Sequence, residues 1–155
     1  MLNITIISVG KLSEPYWQEA AEEYLKRLKP YVKLKIIEIQ EEKVDTAQRQ
    51  KILKIEAEKI NKLIPGDSVV VSLDGAGAEY ISTDWADKLE DWSKFGKSIV
   101  FIIGGPLGLS TEILSKSRQL LSLSKMTFTH QMARVILLEQ IYRGITIQKG
   151  KAYHY

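Results

Sequence analysis

The chain has 155 residues, 45% apolar and 26% charged, which suits one globular domain and excludes a fibrous or disordered chain. It holds no cysteine, so disulfides, zinc–thiolate centres and thiol nucleophiles are excluded. The formal net charge is +3, but from Ser110 onward seven basic residues meet only Glu112 and Glu139, leaving +5 there and −2 in the remainder. A positive end suits a polyanion such as a nucleic acid, with a merely solvated surface as the alternative. The first residues lack the basic flank and long apolar run of a signal peptide, and no stretch approaches the roughly 18 apolar residues of a membrane span. A soluble protein of the cytoplasm is expected, with no membrane partner.

Leu2 to Val9 reads as a strand. Ser13 is placed to cap a helix in which Trp17, Ala20, Ala21, Tyr24, Leu25 and Leu28 trace one apolar face, and Pro30 ends it. Val32 to Gln40 is a second strand, and Ala47 to Leu63 a second helix. Pro65-Gly66-Asp67 turns the chain into a nearly unbroken apolar strand, Ser68 to Asp74, of the kind covered by helices on both faces. Gly75-Ala76-Gly77 should break the chain. Ser82 or Thr83 would then cap a helix burying Trp85, Leu89, Trp92 and Phe95. Ser98 to Ile103 is the fourth strand, Ser110 caps a short helix, and Leu120 to Leu123 forms a short fifth strand. Thr129 caps a last helix from His130 to Arg143, which Gly144 should stop. Strands alternating with helices predict one α/β domain over residues 1–155 with a mostly parallel sheet.

In such sheets ligands gather beyond the carboxyl ends of the strands. Three of these ends are unusual: Leu73 to Gly77, Gly104-Gly105-Pro106-Leu107-Gly108, and Leu123 to Phe128. Neither a Gly-x-Gly-x-x-Gly turn nor a Gly-x-x-x-x-Gly-Lys phosphate loop occurs. The glycines at 104, 105 and 108 either admit a ligand to the backbone or only shape a sharp turn. Leu123 to Phe128 carries apolar side chains and main-chain groups that need partners. Such a loop suits an adenine ring, although Met126 and Phe128 read equally well as core residues. Asp74, Glu79 and Asp84 form no metal-ligand spacing, so no metal is expected.

Several long motifs carry a family likeness. They are Ile6-Ile7-Ser8-Val9-Gly10-Lys11, Phe101 to Leu109, Leu121 to Gln131, Arg134 to Arg143, and the terminal Tyr153-His154. With these, over essentially its whole length, the sequence resembles the ribosomal RNA large subunit methyltransferase H family of the SPOUT class. The resemblance implies a minimal SPOUT-type α/β fold with a carboxyl-terminal trefoil knot, a homodimer, and S-adenosyl-L-methionine as cofactor. It also implies methylation at N3 of pseudouridine 1915 in 23S ribosomal RNA, within the large subunit or 70S ribosome. Carried over by position, the cofactor pocket would use Leu73, Gly104, Leu123, Ser124, Lys125, Met126, Thr127 and Phe128.

Transfer to an imide nitrogen needs the nucleophile in line and a group that accepts its proton or favours the resulting anion. Given the resemblance, His154 and Arg143 are the catalytic candidates. The histidine, a residue type suited to proton transfer near neutrality, would contact the base or take its proton. The arginine fork would hold a phosphate or the anionic base, although Glu139 lies four residues before it and offers a routine ion pair. Lys125, Arg134 and Lys151 are secondary candidates for phosphate contact. The alternatives are a non-enzymatic RNA-binding protein and a small nucleotide hydrolase.

Overall fold

A computed structural model describes all 155 residues. The apolar runs form five strands: β1 (Leu2–Val9), β2 (Val32–Ile39), β3 (Ser68–Ala78), β4 (Ser98–Ile103) and β5 (Gln119–Leu121). Every pairing is parallel and the order is β2-β1-β4-β3-β5. The connecting helices are α1 (Pro15–Leu28), α2 (Arg49–Leu63), α3 (Ser82–Phe95) and α4 (Thr111–Lys116), with α5 (His130–Gln148) after the last strand. The α/β expectation therefore holds. No helix is long and apolar enough to cross a membrane.

Side chains alternate across the pleat, so each central strand feeds two cores. Ile4, Ile6, Phe101 and Ile103 meet Ala21 and Leu28 of α1, Trp85, Leu89 and Trp92 of α3, and Leu137, Leu138 and Ile141 of α5. On the other face Ile7, Val9, Val100 and Ile102 meet Ala57 and Ile60 of α2 and Ile113 of α4. Val69 and Val71 of β3 join the first core and Val70 the second, and burial on both faces explains why Ser68 to Asp74 read as a nearly unbroken apolar run.

Several local expectations need correction. Ser13 and Ser82 or Thr83 are not caps: the N-cap positions are Glu14 and Ile81, and neither side chain bonds the helix. Ser110 and Thr129 do cap, accepting from the main-chain N–H of Ile113 at 3.3 Å and Met132 at 3.2 Å. Phe95 is not in the core; it is 61% exposed, with the Arg118 guanidinium 3.9 Å over its ring. Gly75-Ala76-Gly77 does not end β3. The register jumps there, with Leu73 and then Ala78 both paired to Leu121, so the intervening residues bulge from the ladder. A Cβ on Gly77 would lie 2.6 Å from the Leu120 backbone, which explains that glycine.

Nor does Gly144 stop α5. The helix runs to Gln148, and its stop is Gly150 at φ +62°, where the N–H groups of Gly150 and Lys151 return to the carbonyls of Ile147 and Thr146. Gly144 serves packing instead. A Cβ there would sit 2.6 Å from Leu89 Cδ1 and 3.2 Å from Trp85 Nε1, and this gap lets the Trp85 indole donate to the Gln140 carbonyl at 2.6 Å. Gly144→Val should therefore lose about 1–3 kcal/mol of stability through overpacking. Urea unfolding measures it, and an unchanged midpoint would show that the α3–α5 contact is loose.

Candidate active site

The carboxyl ends of β3, β4 and β5 open into one cleft of about 550 Å³. Leu73, Gly104, Leu123, Ser124, Lys125, Met126, Thr127 and Phe128 all line it, so the eight positions marked in the sequence come together. The glycine at 104 is required by the loop itself. A Cβ there would meet the Gly108 carbonyl oxygen at 2.7 Å, and a bridge between Gly105 and Gly108, with Gly108 at φ +78°, closes the turn. The turn reading of these glycines is thus correct for Gly104, and the tight turn places its backbone on the cleft wall.

Residues 122–128 form the opposite wall. Ser122 is held by the Ala78 carbonyl, and Ser124 Oγ accepts from the Met126 N–H at 3.0 Å. The main-chain groups of Leu123, Lys125, Thr127 and Phe128 form no hydrogen bond within the chain. A loop that lines a cleft with unspent donors and acceptors, half-buried at Leu123 and Phe128 and exposed from Lys125 to Thr127, is suited to the edge of a planar heterocycle. Met126 is 77% exposed at the mouth, so its reading as a core residue fails.

The first turn of α5 completes the cleft with His130, Gln131 and Ala133, which the sequence reading did not assign to it. The cap at Thr129 was the available signal, because a capped helix start directs free N–H groups and positive potential outward. Asp74 is the one carboxylate on the lining, and Lys125 the one lysine or arginine. No group of three or more His, Cys, Asp or Glu residues is arranged to hold a metal.

Arg134 is a correction. It is 2% exposed, and its guanidinium is spent on Glu38, on Ser8 Oγ at 3.0 Å and on the Gly10 carbonyl at 2.9 Å. It is a structural clamp with no face for phosphate.

Arg143 and His154 are brought together but do not line the cleft. Arg143 Nη1 donates to His154 Nδ1 at 3.1 Å, while Nη2 and Nε donate to Glu139 Oε1 at 2.6 and 3.1 Å. The routine ion pair with Glu139 is therefore present, and the arginine also holds the histidine. Tyr153 anchors the tail. Its hydroxyl donates to Glu139 Oε1 at 3.0 Å and its ring packs edge-on against Tyr142 at 4.8 Å. Burial, with hydrogen bonds to Tyr24 and Glu139, pushes the Tyr153 phenol well above its ordinary range, so it stays a neutral donor. Thirteen residues of α5 separate His130 from Arg143, roughly 20 Å along the axis.

Comparison with known proteins gives the family and the fold. A family model described as a predicted SPOUT methyltransferase matches residues 2–154. The chain belongs to the ribosomal RNA large subunit methyltransferase H family. It is 49% identical to the member from Clostridium tetani and 45% identical to that from Moorella thermoacetica, with 99% of each chain covered in both cases. A Methanococcus vannielii protein is 52% identical over the same share. Among solved structures, a methylase-family protein of Haemophilus influenzae superposes with a TM-score of 0.55 at 16% identity, covering 99% of this chain and 70% of that one, which supports the fold alone. Family membership makes this chain a methyltransferase.

In this methyltransferase the glycine loop is backed by a buried carboxyl group. Glu56 of α2 is 4% exposed, and its Oε2 lies 4.0 Å from where a Gly105 Cβ would be. Burial pushes its pKa up; Glu41 and Glu42 add to this, while the Glu42 N–H and Lys59 oppose it. The fold therefore favours the protonated form, and stability falls as pH rises from the unfolded value near ~4.3 through the raised folded value. Glu56→Gln should raise the thermal midpoint at neutral pH, with the advantage shrinking toward pH ~4. A difference between the two proteins that stays constant with pH would refute the assignment.

Proposed function

We propose that this chain transfers a methyl group from S-adenosyl-L-methionine to N3 of pseudouridine 1915 in 23S ribosomal RNA, acting as a homodimer on the assembled large subunit or 70S ribosome in the cytoplasm. The observation that carries the cofactor reading is the wall of unspent main-chain groups at Leu123, Lys125, Thr127 and Phe128, opposite the Gly104 turn. The residues fit the cofactor: main chain for the ring edge, Leu73, Leu123 and Phe128 for its faces, and a capped helix start for a carboxylate. When bound, the cofactor supplies a methyl group already activated by its sulfonium. The protein's task is then orientation and charge.

The acceptor nitrogen gives its proton to solvent water, and the negative charge left on it spreads onto two flanking carbonyls. Arg143 always donates, so His154 Nδ1 must accept and the imidazole presents Nε2–H outward. His154 is thereby a donor to a carbonyl of the anionic base, with Arg143 behind it supplying positive charge. Arg143 lies roughly 20 Å along α5 from its first turn and His154 is bonded to it, too far to serve the cleft of their own chain. A second copy supplies them. Half-exposed Met132, Val135 and Ile136 on α5 and the 68% exposed Ile81 give that copy an apolar seat. The reading includes a trefoil knot. It is supported by the route of the chain, which leaves the sheet edge at β5, crosses the strand ends and buries α5 between α1 and α3.

Two measurements test this. Titration of EDTA-treated protein with cofactor should show saturable binding, and mass spectrometry should find one methyl group on the target fragment after incubation with ribosomes lacking it. Methylation of transfer RNA alone would overturn the substrate. Separately, His154→Ala and Arg143→Ala should keep cofactor affinity and lower single-turnover transfer about 10- to 10³-fold. Gly104→Val should instead lose cofactor binding, because the turn cannot close. Parental transfer by His154→Ala would reduce the histidine to tail decoration.

A further inference from the structure

At the base of the tail two lysines converge on one aromatic ring. Lys151 Nζ lies 4.9 Å and Lys149 Nζ 5.7 Å from the centroid of Tyr31, and Lys151 also donates to the Tyr31 hydroxyl at 2.6 Å. None of the five ion pairs of the chain includes either lysine. Lys149 Nζ makes no hydrogen bond at all, and neither ammonium reaches a carbonyl at the end of α5, so capping of the helix does not account for them. Their backbone is fixed: Gly150 between them takes φ +62°, with its own N–H and that of Lys151 bonded to Ile147 and Thr146.

Two ammonium groups held on one ring without a carboxylate partner form a small concentration of positive charge that is free to meet an anion. Tyr31 restrains both stems at little cost, since ring faces attract ammonium groups. The site is also well placed, because Lys151 stands three residues before His154 on the same anchored tail. We propose that Tyr31, Lys149 and Lys151 form a clamp for the RNA backbone, gripping phosphodiester groups beside the nucleotide that the tail presents. The proposal rests on the reading of the tail as the substrate-facing part of the enzyme. It adds a site for RNA binding apart from the cofactor cleft and the Arg143–His154 pair.

The test compares the parent with K149Q/K151Q, with Y31F, and with K51Q/K54Q, which removes two exposed lysines from α2 on the other face of the sheet. Binding to protein-free 23S ribosomal RNA and to ribosomes lacking the methyl group is measured across a potassium chloride series. K149Q/K151Q should bind both about tenfold or more weakly, with the salt slope reduced by about two, one for each phosphate contact. Y31F keeps both charges, so it should keep the slope and lose about two- to threefold in affinity. Cofactor titration, sedimentation and thermal midpoint should match the parent for all three.

An unchanged slope in K149Q/K151Q, or an equal loss in K51Q/K54Q, overturns the clamp. A loss seen with ribosomes but not with RNA assigns the pair to a ribosomal protein and also overturns it. So does a loss of the dimer. Because RNA binding is read without cofactor, failure of the clamp is distinguishable from failure of the methyltransferase reading, which appears in the parent's own cofactor titration.

Discussion

The Arg134 guanidinium fixes where the last helix begins, and the active site follows from that placement. It is buried beneath α5 and tied to Ser8 and Gly10 at the end of β1 and to Glu38 on β2. Yet the chain enters this helix from β5, at the opposite edge of the sheet. Three strand spacings of about 4.8 Å separate β5 from β1, so residues 122–129 must stretch across the carboxyl ends of the strands. A loop stretched in this way spends few of its main-chain groups on itself: within it only the Ser124 carbonyl and the Met126 N–H are bonded, each to a serine hydroxyl. Burying a charge is costly, and the buried Nε of Arg134 has no partner. The arginine is accounted for by position: it holds the far end of the loop.

From that constraint comes a division of labour. The cleft is made largely of backbone and apolar side chains, with one carboxylate and one lysine on its lining. The groups able to manage charge on a nucleobase sit at the other end of α5, where Glu139 gathers Arg143 and Tyr153 and Arg143 holds His154. One subunit has both halves of the chemistry but cannot join them. In the proposed two-fold dimer, the tail of each chain would be set against the cleft of the other.

Much of this was legible in the sequence. The apolar run of β3 reported a sheet covered on both faces, and the loops at 104–108 and 123–128 led to the cleft. The failures share a cause. Gly77 and Gly144 read as punctuation because a glycine signals a break locally, but each is a glycine because another segment lies against it: the Leu120 backbone for one, Leu89 and Trp85 for the other. Such contacts are long-range and leave no local trace. Arg134 misled for a similar reason, since a basic residue in a basic segment looks solvated until its carboxylate arrives from β2. Phe95 sat at an apolar helical spacing, but at the last residue of α3, where its ring is exposed. The family likeness, and not periodicity, marked His154.

The claim that each active site is shared between two chains is tested most directly by mixing subunits. Gly104→Val chains would carry a sound tail and a closed cleft, and His154→Ala chains a sound cleft and a defective tail. Each homodimer alone should be nearly inactive on ribosomes. After exchange, each mixed dimer unites one sound cleft with one sound tail, and activity should rise to about a quarter of parental, because half the dimers are mixed and each has one working site. If mixed dimers form, as read by mass spectrometry of the intact complexes, and no activity returns, the tail serves its own chain and the account is wrong.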